Sequence, residues 1–211
     1  MHDGWIETEL GNVASYINGR AFKPSEWEEA GLPIIRIQNL NRPEIKYNYS
    51  TGDFEDKFLV KNGDLLFAWS ASLGAYIWKG EDAWLNQHIF KVLCEPIVRK
   101  MYLFYFLEKT TQELYARAHG SGMVHITKAK FLRTLIYVPP LPEQRAIVAK
   151  IEQLFSELDN GIENLKAAKE QLKVYRQAIL KKAFEGELTR DWREKQTNLP
   201  SAEDLLQQIE E

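Results

Sequence analysis

The sequence predicts an α+β protein: a mixed, largely antiparallel-sheet domain followed by one long coiled-coil α-helix. Short β-rich runs bounded by Gly, Asn or Pro fill the first two thirds of the 211 residues. A proline cluster then interrupts regular structure of either kind. Beyond it, apolar residues recur at heptad spacing without another proline until Pro200.

In chain order, residues 33–38, 64–69, 75–78 and 89–93 read as strands, because Val, Ile, Leu and aromatic residues dominate them and turn residues flank them. Ser25-Glu26-Trp27-Glu28 after Pro24 has the pattern of a capping box, so a very short helix is expected there, closed by Gly31. A longer helix is expected from about residue 98 to 119, with Met101, Phe104, Leu107, Leu114 and Ala118 near helical spacing and Gly120 as its stop. A smaller one starts near Thr127. Pro139, Pro140 and Pro142 mark the boundary, which divides the chain into a front domain (1–142), a long helix (143–186) and a tail with a short helix (187–211).

At 1.5 Å per residue the rod would span about 65 Å. Ile151, Leu158, Leu165, Leu172 and Ile179 recur every seventh residue, and Ile147, Leu154, Gly161, Ala168 and Tyr175 fill the companion positions. Reading the two sets as a and d gives a seam formed by Ile147, Ile151, Leu154, Leu158, Leu165, Ala168, Leu172, Tyr175 and Ile179 as the expected dimer interface. A long helix packed into a larger bundle is the plainer alternative. Charge along the rod is polarised: Glu152, Glu157, Asp159 and Glu163 come early, and Lys166, Lys169, Lys173, Arg176, Lys181 and Lys182 late. Antiparallel pairing sets opposite charges face to face, whereas parallel pairing sets like against like. Charges that merely solvate the outer face would prefer no partner.

Composition bounds the function classes. With 45% hydrophobic and 12% aromatic residues, the chain can form a real core. One cysteine, Cys94, allows no internal disulfide and fits a reducing compartment. No apolar run approaches the roughly 18 residues of a membrane span, and residues 1–10 carry no signal pattern, so a cytoplasmic protein with no membrane partner is expected. Net charge is −3. Residues 1–140 hold 16 acids and 16 bases, residues 143–195 hold 10 and 11, and the tail from Gln196 holds four acids alone. Any nucleic-acid affinity must therefore come from a local patch or from partners.

The segments around the proline junction carry a resemblance. Gly120-Ser-Gly-Met-Val-His-Ile-Thr127, a short helix, then Ile136-Tyr-Val-Pro-Pro-Leu-Pro-Glu-Gln-Arg145 leading into a heptad helix resembles a target recognition domain joined to the spacer helix of type I restriction-modification specificity subunits. Trp5-Ile-Glu-Thr-Glu-Leu-Gly-Asn-Val, Gly31-Leu-Pro-Ile-Ile-Arg-Ile-Gln-Asn-Leu and Gly63-Asp-Leu-Leu-Phe-Ala-Trp-Ser match further stations of that family. So does the run from Arg176 to Trp192.

The resemblance implies a non-catalytic, sequence-specific DNA-recognition subunit without a cofactor. It also implies double-stranded DNA, methyltransferase (modification) subunits and the restriction/translocase subunit as partners. In the family, two recognition domains are held apart by antiparallel helices and each reads half of a split target. Here one domain and one spacer helix are present, a half-length form. A second copy of the chain, paired antiparallel, would rebuild the whole and read inverted, identical half-sites. A module of another restriction system, or a coiled-coil dimerisation protein with a protein-binding front domain, are the other readings.

Base reading needs donors and acceptors on loops with cations nearby. Four segments qualify: Arg20 and Lys23; Arg36, Gln38, Asn39, Asn41 and Arg42; Trp69, Ser70 and Ser72; and Ser121, Met123, His125, Lys128 and Lys130. Each also has a plain reading as turn or core chemistry, and Asn86-Gln87-His88 reads better as a hydrogen-bonded support than as a base contact. No phosphate-binding loop, dinucleotide turn, methyltransferase Pro-Pro signature or zinc spacing is found, so no catalytic residue and no metal site are expected.

Overall fold

The computed structural model describes residues 3–70, 72–117, 127–199 and 201–210. In order the elements are β1 (Ile6–Glu9), α1 (Leu10–Val13), β2 (Ala14–Asn18), β3 (Leu32–Ile35), α2 (Ile37–Asn41), β4 (Asn48–Ser50), β5 (Leu59–Val60), β6 (Leu65–Ala68), β7 (Gly74–Ile77), β8 (Ala83–Leu85), β9 (Ile89–Cys94), α3 (Lys100–Arg117), α4 (Lys128–Leu132), β10 (Leu135–Val138), α5 (Leu141–Phe184), α6 (Arg190–Arg193) and α7 (Ala202–Glu210). The expected α+β class is what the chain forms. Among the described residues no helix is long and apolar enough to cross a membrane.

Among the described residues the strands form three sheets: β1-β10, β2-β9-β6-β7 and β4-β3-β8-β5. Between these strands every pairing is antiparallel except β3 with β8. The second sheet is buried on both faces, and the period of two in a strand assigns its side chains. Leu65, Phe67, Ala75, Phe90 and Val92 face one core with Leu103 and Leu107 of α3 and Phe131 of α4. Leu66, Ile89 and the half-buried Tyr76 face another with Ile35, Val60 and Leu85. Lys91 also points to that second side, where its ammonium meets Asp64 at 3.2 Å and donates to the Leu59 carbonyl.

Contacts divide the chain into two compact units, Met1–Glu152 and Gln153–Glu211. The first therefore includes the opening turns of α5, where Ile147 and Val148 pack against the domain core. Gln144 is fully buried there, with its amide oxygen accepting from Arg99 N–H at 2.8 Å and its amide nitrogen donating to the Ile97 and Pro139 carbonyls. Pro142 lies inside the first turn of the helix rather than before it, because no intrahelical partner is required of N–H groups at that position.

Two local expectations change. The region after Pro24 forms only one 3-10 turn, Pro24–Glu26, whose cap is Lys23: its N–H donates to the Glu26 carboxylate at 2.7 Å. Trp27 is already extended, and Glu28 pairs with Tyr49. Residues 37 and 38 belong to α2, not to a strand, because the Asn39 side chain folds back to accept from Arg36 N–H at 3.2 Å and closes the turn. The helix near Thr127 forms as expected, capped by the Thr127 hydroxyl.

Candidate nucleic-acid interface

One end of the β2-β9-β6-β7 sheet gathers most of the candidate residues. Asn18 pairs with Phe90, and Ala68 with both Ile89 and Gly74, so β2 and β6 finish where β9 and β7 begin. The connections leaving this end include residues 19–23, 69–70, 72–73 and 86–88. Asn86 N–H donates to the Ile35 carbonyl at 3.1 Å, while Arg20 bridges to Asn86 and accepts from Gln87 N–H at 2.7 Å. The segment around Asn86 thus lies between Arg20 on one side and the Ile35–Arg36 turn on the other. Gly19 makes this possible: a Cβ there would stand 2.1 Å from the Asn86 carbonyl oxygen.

Aromatic rings form the floor. Trp69 stacks on Phe90 with ring centres 5.7 Å apart, meets His88 edge-on at 5.2 Å and donates its indole N–H to Asn18 Oδ1 at 3.0 Å. Phe90 and Phe67 stack in turn with Phe131. Lys128 lies over Phe90 and donates to the Tyr16 carbonyl at 3.1 Å, so the end of β2 is tied to the start of α4. Burial raises the Tyr16 phenol above its ordinary range. His88 has φ 77°, a left-handed conformation that side-chain-bearing residues rarely adopt, and its buried Nδ1 makes no hydrogen bond among the described residues.

The candidates fall into distinct environments. Arg20 is held by the Glu26 carboxylate and lies over the Phe54 and Phe22 rings, at 4.1 and 4.9 Å. That guanidinium, with Lys23 N–H, holds the Glu26 carboxyl below the usual carboxylate range. Arg36 caps α2 and lies over Trp27. Asn39 is buried, with both ends of its amide hydrogen-bonded to its own loop, to Arg36 N–H and the Ile45 carbonyl. Asn41 accepts from the Tyr76 hydroxyl. Lys23, Gln38, Arg42 and Lys130 are exposed, and Ser70 and Ser72 are half-buried. Ser121, Met123 and His125 lie outside the described residues.

Asn18 and His88, which meet Trp69 at this sheet end, and Tyr76, which donates to Asn41, were not singled out as base readers in the sequence. The β2–β9 register sets Asn18 opposite Phe90, two residues after His88, and Trp69 meets both Asn18 and His88. Nothing in a linear pattern reports that register.

The heptad residues present a second surface. Leu154, Leu158, Leu165, Ala168, Leu172, Tyr175 and Ile179 are exposed, Leu165 to 73%. Ile151 is half-buried, and Ile147 packs in the first unit's core. Lys166 and Lys173 pair with Glu163 and Glu170 on the same helix. Among the described residues no group of His, Cys, Asp or Glu could hold a metal ion.

Residues 2–167 match the model of the type I restriction modification DNA specificity domain. The chain is 30% identical over 194 residues to the type I restriction enzyme EcoBI specificity subunit of Escherichia coli, covering 90% of this chain and 41% of that protein. The HsdS subunit of Thermoanaerobacter tengcongensis superposes with a TM-score of 0.66 at 26% identity, over 88% of this chain and 46% of that one. A chain from a solved type I R-M system gives 0.69 at 24% identity, over 87% and 46%. The chain thus spans less than half the length of these relatives. Motif order, domain fold and family model agree that this chain belongs to the type I restriction modification DNA specificity domain family.

Proposed function

We propose that this chain is a non-catalytic, sequence-specific DNA-recognition subunit of a type I restriction-modification system. The observation that carries the reading is the sheet end where loops from β2, β6 and β9 converge over stacked aromatic rings. It offers Asn18, Arg20, Trp69, Ser70, Ser72 and Lys128 within one surface, with Arg36, Gln38, Asn41 and Arg42 following from the adjacent turn. Donors and acceptors on anchored loops read base edges, and the exposed Lys23, Arg42 and Lys130 hold phosphates. Asn39 supports its loop from inside.

In this proposal residues 1–142 are the target recognition domain, 143–186 the spacer and dimerisation helix, and 187–211 the tail. Exposed apolar seam residues and a charge sequence running from acidic to basic support an antiparallel homodimer reading a bipartite palindromic target. Methyltransferase subunits, with the restriction subunit, dock on the assembled pair.

A mobility shift with a random duplex pool, run with and without a methyltransferase partner, tests the reading. Enrichment of a defined sequence is expected in at least one condition. No enrichment in either would favour a protein-binding front domain on a dimerisation helix.

A further inference from the structure

In the first unit, the start of α3 and the opening turns of α5 enclose a groove of about 330 Å³. Its lining combines three apolar side chains, Met101, Val148 and Ala149, with three cations, Arg99, Lys100 and Arg145, against one carboxylate, Glu152. The Lys100 ammonium donates to the Gly63 carbonyl at 2.6 Å. Among the described residues, Arg99 and Arg145 make no side-chain ion pair. Nearby, Ile97 and Leu141 are exposed although both are apolar.

The tail has the opposite character. From Gln196 onward it carries four acids and neither Lys nor Arg. Within α7, Leu206 and Ile209 are three residues apart, hence on one helical face, and are 59% and 80% exposed. A short helix with an unburied apolar face is marginal in water by itself. Its apolar stripe and acidic composition complement an apolar groove flanked by unpaired arginines.

We propose that the C-terminal helix of one copy docks in the Arg99–Arg145 groove of a second copy. The inference rests on the antiparallel pairing proposed above. That pairing brings the last turns of one α5 beside the first turns of the other, where Arg145, Val148 and Ala149 lie. Two-fold symmetry then makes the contact reciprocal, with two tails and two grooves per dimer. Leu206 and Ile209 enter the groove, and the tail carboxylates face Arg99 and Arg145.

The test uses full-length chains in a Cys94→Ser background. One population carries Ala149→Cys and the other Ala202→Cys. They are mixed, treated with a short bismaleimide and analysed by mass spectrometry, with light scattering of the same mixture. A cross-link joining the two different chains is expected, its yield falling about tenfold when the groove carries Arg99→Glu and Arg145→Glu, as two or three lost ion pairs would give. Dimers that form without this cross-link overturn the tail docking and leave the pairing of α5 standing. So does a chain carrying both cysteines that cross-links only within itself. A mixture monomeric at micromolar concentration overturns both.

Discussion

Trp69 donates its indole N–H to Asn18 Oδ1 across 3.0 Å, tying the loop after β6 to the end of β2. The two residues are distant in sequence and become neighbours because β9 lies between their strands. Asn18→Ala removes the acceptor from an exposed residue, so its effect on stability is about 1 kcal/mol or less. Its effect on DNA binding should be larger, since the Trp69 ring loses one of its anchors at the proposed interface. Anisotropy titrations should show weaker binding to the preferred duplex with binding to random duplex little changed.

Gly19→Ala tests the close approach that places Arg20 beside Asn86. The added methyl would overlap the Asn86 carbonyl and lie 2.6 Å from the Leu85 carbonyl oxygen, both backbone atoms of one connection. Neither strand end can retreat without breaking the pairing of Arg20 N–H with the Leu85 carbonyl. A loss of about 2–3 kcal/mol is expected in urea unfolding, at the upper end of ordinary single substitutions.

Gln144 closes the gap between the domain core and the first turns of α5 with three hydrogen bonds, all to backbone groups. Gln144→Ala leaves Arg99 N–H and two carbonyls without this partner in a buried place. A loss of about 3 kcal/mol follows from unsatisfied backbone groups at about 1–3 kcal/mol each, partly rescued by entering water. Gln144→Glu should also destabilise, because the two carbonyls then lose their donor while the Arg99 bond survives. Thermal unfolding of both variants checks the order.

The strands at 64–69, 75–78 and 89–93 were legible because their apolar content and bounding turns specify a buried strand without outside help. The long helix was legible from its heptads. What stayed hidden depends on tertiary partners. Strands β1 and β10 are short and half-polar, and each is defined by the other at a separation of some 130 residues. The α2 helix looked like a strand because Ile34, Ile35 and Ile37 favour one, and only the side-chain closure by Asn39 turns the chain. Sequence chemistry singled out Arg20, Arg36 and Trp69 as candidate base readers but did not give their stacking or ion-pair partners. A recognition surface assembled from strand ends has no linear signature.

The Arg20–Glu26 pair gives a pH-dependent outcome. The guanidinium hydrogen bond lowers the Glu26 carboxyl from its ordinary value, so the folded state binds that proton less readily than the unfolded chain. The resulting stability is fully present above the unfolded value, about 4.3, and is lost as pH falls through the lowered folded value. Glu26→Gln should remove this acid-side dependence and leave the slope near neutral pH unchanged. Carbon-detected titration of the Glu26 carboxyl should place its midpoint below that of exposed glutamates, and a midpoint at the ordinary value would contradict the pairing.

The central claim is that two copies read one split site. Native mass spectrometry of the chain bound to the duplex enriched from a random pool tests it most directly, with the enriched sequence read alongside. The account predicts two chains per duplex and two identical, inverted half-sites around an unread spacer. One chain per duplex, or a single asymmetric motif, would contradict it.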